Sequence, residues 1–152
     1  LYNKPRYEYL RRLEELKNIV NVRTYIVVPP MLYLKKQLLH NELEIKRLYD
    51  IHFTPLNRPQ LINLYQRSKV FVDICRENQT GMSMRTIEAY GMNKKLLTSN
   101  RNIIKDPWVK EIQVLDSNAD DKAIISFINS PVKKYNNRIK LSIQEWVKAL
   151  LS

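Results

Sequence analysis

Residues 77–100 read ENQTGMSMRTIEAYGMNKKLLTSN, and they offer the chemistry of anion and diol binding. The stretch holds both glycines of the chain, Gly81 and Gly91, ten positions apart. Gly81 lacks a Cβ, so a ligand can approach its backbone closely. A helix opening just beyond it presents unpaired N–H groups and a positive dipole end. That end favours a phosphate by about 0.3–2 kcal/mol. Ser83 and Thr86 add hydroxyls there, and Arg85 adds a fixed charge. At about 100° per residue, Met84, Ile87 and Gly91 form one apolar stripe, and Glu88 lies about 40° from Met84 at its border. A half-buried carboxylate needs donors. Arg85, three positions earlier, supplies them in one reading; the vicinal hydroxyls of a ligand such as a ribose supply them in the other. For Gly81 the plain alternative is an ordinary strand-to-helix turn. Neither a GxGxxG nor a Walker loop is present, so the dinucleotide and P-loop motifs are excluded.

Other chemistry is sparse. His40 and His52 stand twelve apart with no cysteine or carboxylate cluster to complete a metal site, so neither metal nor cofactor is expected. Asp73 ends an apolar run and suits a turn or cap role, or a catalytic one. No Ser/His/Asp order suggests a nucleophile, and the catalytic residues are unassigned. Cys75 is the only cysteine, which excludes an internal disulfide and suits a reducing cytoplasm.

The elements that must position the stretch alternate between helical and extended patterns. PRYEYLRRLEELKN spaces Tyr9, Leu13 and Leu16 as a helix. VRTYIVV, 22–28, is a β-branched and aromatic strand stopped by Pro29-Pro30. MLYLKKQLLHNEL is a helix, and RLYDIHF is a weaker strand before Thr54-Pro55. NRPQLINLYQRS opens a helix with Asn57 as cap and Pro59 in the first turn. KVFVDI, 69–74, reads as a strand buried on both faces, at the centre of a sheet. Ser83 caps the next helix, and Gly91 is expected to take the left-handed conformation after it. KKLLTS and EIQVLD are strands, and Asp106-Pro107 starts a short helix between them. DDKAIISFINS is a helix. NRIKLSIQEWVKALL closes the chain as an amphipathic one, with Ile139, Ile143, Trp146 and Leu150 on one stripe. This alternation predicts an α/β fold, a Rossmann-like parallel sheet of about five strands with helices on both faces. Ligands of such sheets bind outside the carboxyl ends of the strands, which is where residues 77–83 fall.

The 152 residues suit one domain with a real core. No apolar run reaches the ~18 residues of a membrane span, and no signal peptide is visible. Leu1 is not an initiator Met, so the chain is expected to be a fragment of a larger protein. A net charge of +11 attracts anions, whether nucleic acid, anionic lipid or phosphorylated ligands. The 26 Lys and Arg are scattered, with doublets at 11–12, 35–36, 94–95 and 133–134. A nucleic-acid interface needs clustered charge and aromatic platforms, so none is expected, and a basic nucleic-acid-binding or α/β interaction domain is the alternative reading.

SKVFVDICRENQTGMSMRTIEAYGMNKKLLTSN resembles the C-terminal nucleotide-binding domain of two-domain GT-B glycosyltransferases, most of all the bacterial enzymes of lipopolysaccharide and capsule synthesis. The similarity lies in Ser68, Val70 to Ile74, Gln79-Thr80-Gly81, Arg85, Glu88-Ala89, Gly91, Lys95 and Thr98-Ser99-Asn100. It implies that Glu88 binds the ribose of a nucleotide sugar, and that Gly81, Met82 and Ser83 face its diphosphate. Gln79, Thr80, Arg85 and Thr86 complete the implied nucleotide-binding set. Thr80 stands where the commonest form of the family has a second glutamate, eight positions before the helix glutamate. The resemblance further implies residues 1–152 as one Rossmann-like domain, a missing N-terminal partner domain and a glycan or lipid-linked acceptor. The place implied is the cytoplasm, or the inner face of the plasma membrane against anionic lipid.

Overall fold

A computed structural model of the chain describes residues 4–40, 51–76, 79–104 and 113–133. The helix expected at Asp106-Pro107 and the closing helix at 137–151 lie outside the described residues. The chain divides into two compact units, Leu1–Arg67 and Ser68–Ser152.

In the first unit, helix α1 (Lys4–Glu15) runs into a 3-10 turn at Leu16–Asn18. Leu13, Leu16 and Val20 are buried at helical spacing and form its apolar side. Strand β1 (Ile26–Val27) pairs in parallel with β2 (Ile51–His52), in the register Ile26↔Ile51 and Val27↔His52. β1 is shorter than the predicted 22–28. The described part of its partner is two residues long, the predicted start at 47–50 lying outside the described residues, and Pro29-Pro30 cannot continue the ladder. Tyr25 stacks on His52 at 3.7 Å and donates its hydroxyl to the Thr54 carbonyl at 2.9 Å, which clamps the ends of the two strands. Helix α2 (Pro30–His40) begins on a proline, whose missing N–H costs nothing in the first turn. Helix α3 (Arg58–Arg67) opens with a reciprocal cap: Gln60 N donates to Asn57 Oδ1 and Asn57 N to Gln60 Oε1, both at 3.0 Å.

The second unit carries β3 (Val70–Asp73), α4 (Met84–Gly91), β4 (Lys95–Thr98), α5 (Arg101–Ile104), β5 (Val114–Asp116) and α6 (Asp121–Asn129). The three strands are parallel, in the order β3-β4-β5. The central strand is therefore β4, whose four residues are all buried. In β3 only Phe71 and Asp73 are buried. Among the described strands KVFVDI therefore lies at the end of this sheet rather than at its centre, and only alternate residues of it are buried, where an apolar run was read as burial on two faces. The Lys-Leu-Leu-Thr strand hid its centrality behind polar ends. Ala89, Tyr90, Leu96, Leu97, Ile103 and Ile124 supply the apolar core. Lys95 is fully buried, and its ammonium donates to the carbonyls of Phe127, Ile128 (3.0 Å) and Ser130 (2.7 Å). It thus ties β4 to the carboxyl end of α6, where a cation also complements the helix dipole. Asp120 caps the other end of α6 by accepting from Ala123 N at 2.7 Å.

The fold is thus mixed α/β with parallel strands joined through helices. Its described strands form two sheets of two and three strands, where a sheet of about five was predicted.

Candidate functional site

The carboxyl ends of β3 and β4 lie side by side, with Asp73 opposite Thr98, and they organise the loop that carries the candidate residues. Asp73 is buried. Its Oδ2 accepts from Ser83 Oγ at 2.5 Å, from Cys75 Sγ at 3.3 Å and more distantly from Thr86 Oγ1 at 3.5 Å. Ser83 in turn accepts from Thr86 N at 3.1 Å, as the cap of α4. One carboxylate at a strand end therefore holds the cap of the helix, and the capping residue itself is Ser83 rather than Asp73. The same carboxylate and burial act on Cys75. Burial first, then the hydrogen bond and charge of Asp73, push the thiol up to about 11.

β4 fastens the other side of the loop. Cys75 N donates to Ser99 Oγ at 2.9 Å, and Ser99 N to the Asp73 carbonyl at 3.1 Å. Asn100, buried, donates its side-chain amide to the Gly81 carbonyl at 3.0 Å and accepts from Asn102 N at 3.1 Å. The role of Asn100 as a strut for the glycine loop was not read from the sequence. Its only signal was its place in Thr98-Ser99-Asn100, directly after a strand.

The glycines behave differently from expectation. Neither has a positive φ, and no atom lies within 4 Å of a Cβ built on either. Gly91 is the last residue of α4, and Asn93 takes the left-handed conformation in its stead, at φ 52°. Asn93 N bonds to the Tyr90 carbonyl at 3.1 Å and Lys94 N to that of Ala89 at 2.8 Å, the pair of bonds that closes a helix around a left-handed residue. Asparagine tolerates this conformation where most side chains do not. Gly81 is exposed in open space, so its own fold makes no demand for glycine.

The faces of α4 are also rotated from the reading. Thr86, Ala89 and Tyr90 are its buried positions. Met84 is 71% exposed and Ile87 36%, so the stripe expected to face inward faces out. The cause is Thr86: its hydroxyl reaches Ser83 and Asp73, so a polar residue joins the inner face. Its buried hydroxyl is turned into the protein and away from any ligand.

Arg85 and Glu88 stand one turn apart, half-exposed. Arg85 Nη1 donates to Glu88 Oε2 at 2.8 Å, with the two side chains 37% and 29% exposed. The guanidinium also sits 6.0 Å from the Phe71 ring centroid, so it rests on β3. Glu88 Oε1 takes no hydrogen bond among the described residues. Of the sequence-predicted set, Thr80, Gly81 and Met82 are exposed, and Gln79, Ser83, Arg85 and Glu88 are intermediate. Gln79 N is held by the Arg76 carbonyl at 3.0 Å. Beyond a strand's carboxyl end, the arrangement thus presents an open glycine, a cation and a carboxylate with one oxygen that takes no hydrogen bond among the described residues. Chemically these suit an anion and a pair of hydroxyls. Among the described residues no group of three metal-ligating side chains occurs, and no helix is long and apolar enough to cross a membrane.

No protein-family model matches the chain, and neither does any curated protein or solved structure.

Proposed function

We propose that the chain is the nucleotide-binding part of a glycosyltransferase that takes a sugar from a nucleotide-sugar donor and adds it to a bacterial surface glycan, a lipopolysaccharide or capsule. The observation that carries the reading is the Glu88 carboxylate. It is half-exposed on a helix that starts beyond the carboxyl end of a parallel strand, and it is fixed through one oxygen by Arg85. In this reading the 5′-phosphates of a nucleotide whose ribose is held by Glu88 lie toward the capped start of α4, and a Cβ built at Gly81 meets nothing within 4 Å. The protein's part in such a reaction is to hold the donor; acceptor contacts and the catalytic base come from a partner domain. The reading carries with it a Rossmann-like fold of about five parallel strands. It also carries a cytoplasmic enzyme that visits the inner membrane surface for its acceptor, with the net charge of +11 drawing it to anionic lipid.

Glu88→Gln tests it. The substitution keeps the shape and removes charge-assisted acceptance from two hydroxyls. Hydrogen bonds to a charged group contribute about 1.5–3 kcal/mol, so nucleoside diphosphate affinity is expected to fall roughly 10- to 100-fold. The melting temperature is expected to stay nearly constant, because an exposed pair such as Arg85–Glu88 contributes only about 0–1 kcal/mol. Loss of stability with unchanged nucleotide affinity contradicts the reading and makes Glu88 a structural residue.

A further inference from the structure

We infer that the carboxyl end of the β1–β2 sheet is a membrane-docking surface, at which Met31, Leu34 and Phe53 enter an anionic lipid interface and Lys35 meets the headgroups. The inference gives a surface to the membrane visit in the reading above and rests on that part of it. β1 and β2 are parallel, so the chain leaves both strands at the same end. Val28 to Met31 follow there from β1, and Phe53, Thr54 and Pro55 from β2. Tyr33 in α2 meets Phe53 edge to face at 5.4 Å, which brings the helix beside the second loop. Met31, Leu34 and Lys35 share one face of α2, by their spacing of three and four, and all three are exposed. Met31 is 81% exposed and Phe53 50%, and Val27 at the end of β1 is exposed too. Single exposed apolar side chains are ordinary, but a group of four at one end of a sheet marks a contact surface.

The backbone of these loops is suited to leaving water. Pro29, Pro30 and Pro55 have no N–H to strand in an apolar medium. Val28 N donates to the His52 carbonyl at 2.9 Å and Tyr33 N to the Pro29 carbonyl at 3.0 Å, and the Thr54 carbonyl accepts from the Tyr25 hydroxyl at 2.9 Å.

Charge selects the partner. Residues 19–40 and 51–67, which build this surface, contain no Asp or Glu, but they contain Arg23, Lys35, Lys36, Arg58 and Arg67. A second copy seated on the same face brings like charges together, whereas anionic headgroups oppose them. A face of mixed apolar and cationic side chains is the pattern that lies in a lipid interface.

The experiment is co-sedimentation of the 152-residue chain, at low salt, with vesicles of phosphatidylcholine alone and of equal parts phosphatidylcholine and phosphatidylglycerol. The parent is expected to bind only the anionic vesicles. Met31→Ser/Phe53→Ser is expected to bind them roughly 10- to 100-fold more weakly, as two part-inserted side chains are lost. Met31→Ser alone, at a position with little packing to lose, is expected to cost roughly 5-fold, and Lys35→Glu roughly 10-fold. Melting curves verify that the variants fold. In Met31→Trp, brominated lipid is expected to quench emission beyond the quenching of the parent's own two tryptophans. Anionic-vesicle binding that the variants leave unchanged, or no added quenching in Met31→Trp, overturns the inference. So does self-association of the parent that Met31→Ser/Phe53→Ser abolishes while vesicle binding stays the same. Titration with nucleoside diphosphates separates the two claims. A chain that binds a diphosphate but no anionic vesicle refutes the docking surface and leaves the nucleotide site standing. A chain that binds vesicles through these residues but no diphosphate does the reverse.

Discussion

Single residues divide into those that hold the loop and those that face outward, and substitutions should separate the two. Asp73 belongs to the first kind. Its Oδ2 gathers Ser83, Thr86 and Cys75, so Asp73→Ala strands buried donors at a cost of about 1–3 kcal/mol, read as a drop in melting temperature. The same variant removes two of the causes that push the Cys75 thiol up to about 11. In the parent, alkylation of Cys75 at pH 8 to 9 is expected to be slow, since little thiolate forms; in Asp73→Ala it should be faster under non-denaturing conditions. Equal rates in the two proteins count against the Asp73 contact. Gly81 belongs to the second kind. With no positive φ and no atom within 4 Å of its Cβ position, Gly81→Ala should leave the melting temperature unchanged. Reduced nucleotide affinity in that variant would mark the open space as ligand space. Gly91→Ala, within the helix, should stabilise by about 0.5–1 kcal/mol.

Elements show which parts of the structure the sequence could reveal. Helix α4 and its Ser83 cap, helix α3 with Asn57, and the strands at 70–73, 95–98 and 114–116 were legible, because caps and short apolar runs are local signals. The inner face of α4 was not. Its buried Thr86 is recognisable only once Asp73, thirteen residues earlier, is known to be its partner. The left-handed closing residue was also misplaced, because glycine is the default there and Asn93 stands two positions later. Helix α5 at Arg101–Ile104 was not read, although Asn100 caps it by accepting from Asn102 N at 3.1 Å; four residues are too few to show a helical period.

Lys95 belongs to one of the basic doublets of the sequence, yet it is fully buried, because its partners are carbonyls that no residue type records. Burial, and then the nearby charge of Lys69, lower its pKa from the ordinary 10.5. Between that lowered value and 10.5 the unfolded chain binds more protons than the folded one, so this group's contribution to stability rises with pH. Urea midpoints across pH 8 to 10 should therefore differ in slope between the parent and Lys95→Met. The variant should lose that upward contribution, and it should be less stable overall, by about 1–3 kcal/mol, for leaving the α6 carbonyls unpaired. Parallel pH profiles would contradict this role.

At the scale of the whole molecule, charge is the property that most needs an explanation. A net charge of +11 suits several anionic partners, and the described residues contain no spanning helix to fix the protein in a membrane. If the charge serves lipid, co-sedimentation with vesicles containing phosphatidylglycerol should be strong at low salt and lost at high salt, at roughly 1 kcal/mol per engaged Lys or Arg. Binding that ignores salt, or is absent at low salt, argues against a membrane role. The charge would also suit nucleic acid; a phosphate-tracking surface gains nothing from a carboxylate, which repels phosphate, whereas a carboxylate accepts from the hydroxyls of a ribose. The most direct measurement titrates the chain with uridine, guanosine and cytidine diphosphates in the presence of a fluorescent single-stranded RNA. Glu88→Gln is run alongside. The account predicts that one diphosphate binds saturably, that Glu88→Gln weakens it roughly 10- to 100-fold, and that RNA binds only weakly and independently of Glu88. Tight RNA binding with no saturable diphosphate binding, or diphosphate binding indifferent to Glu88→Gln, would contradict it.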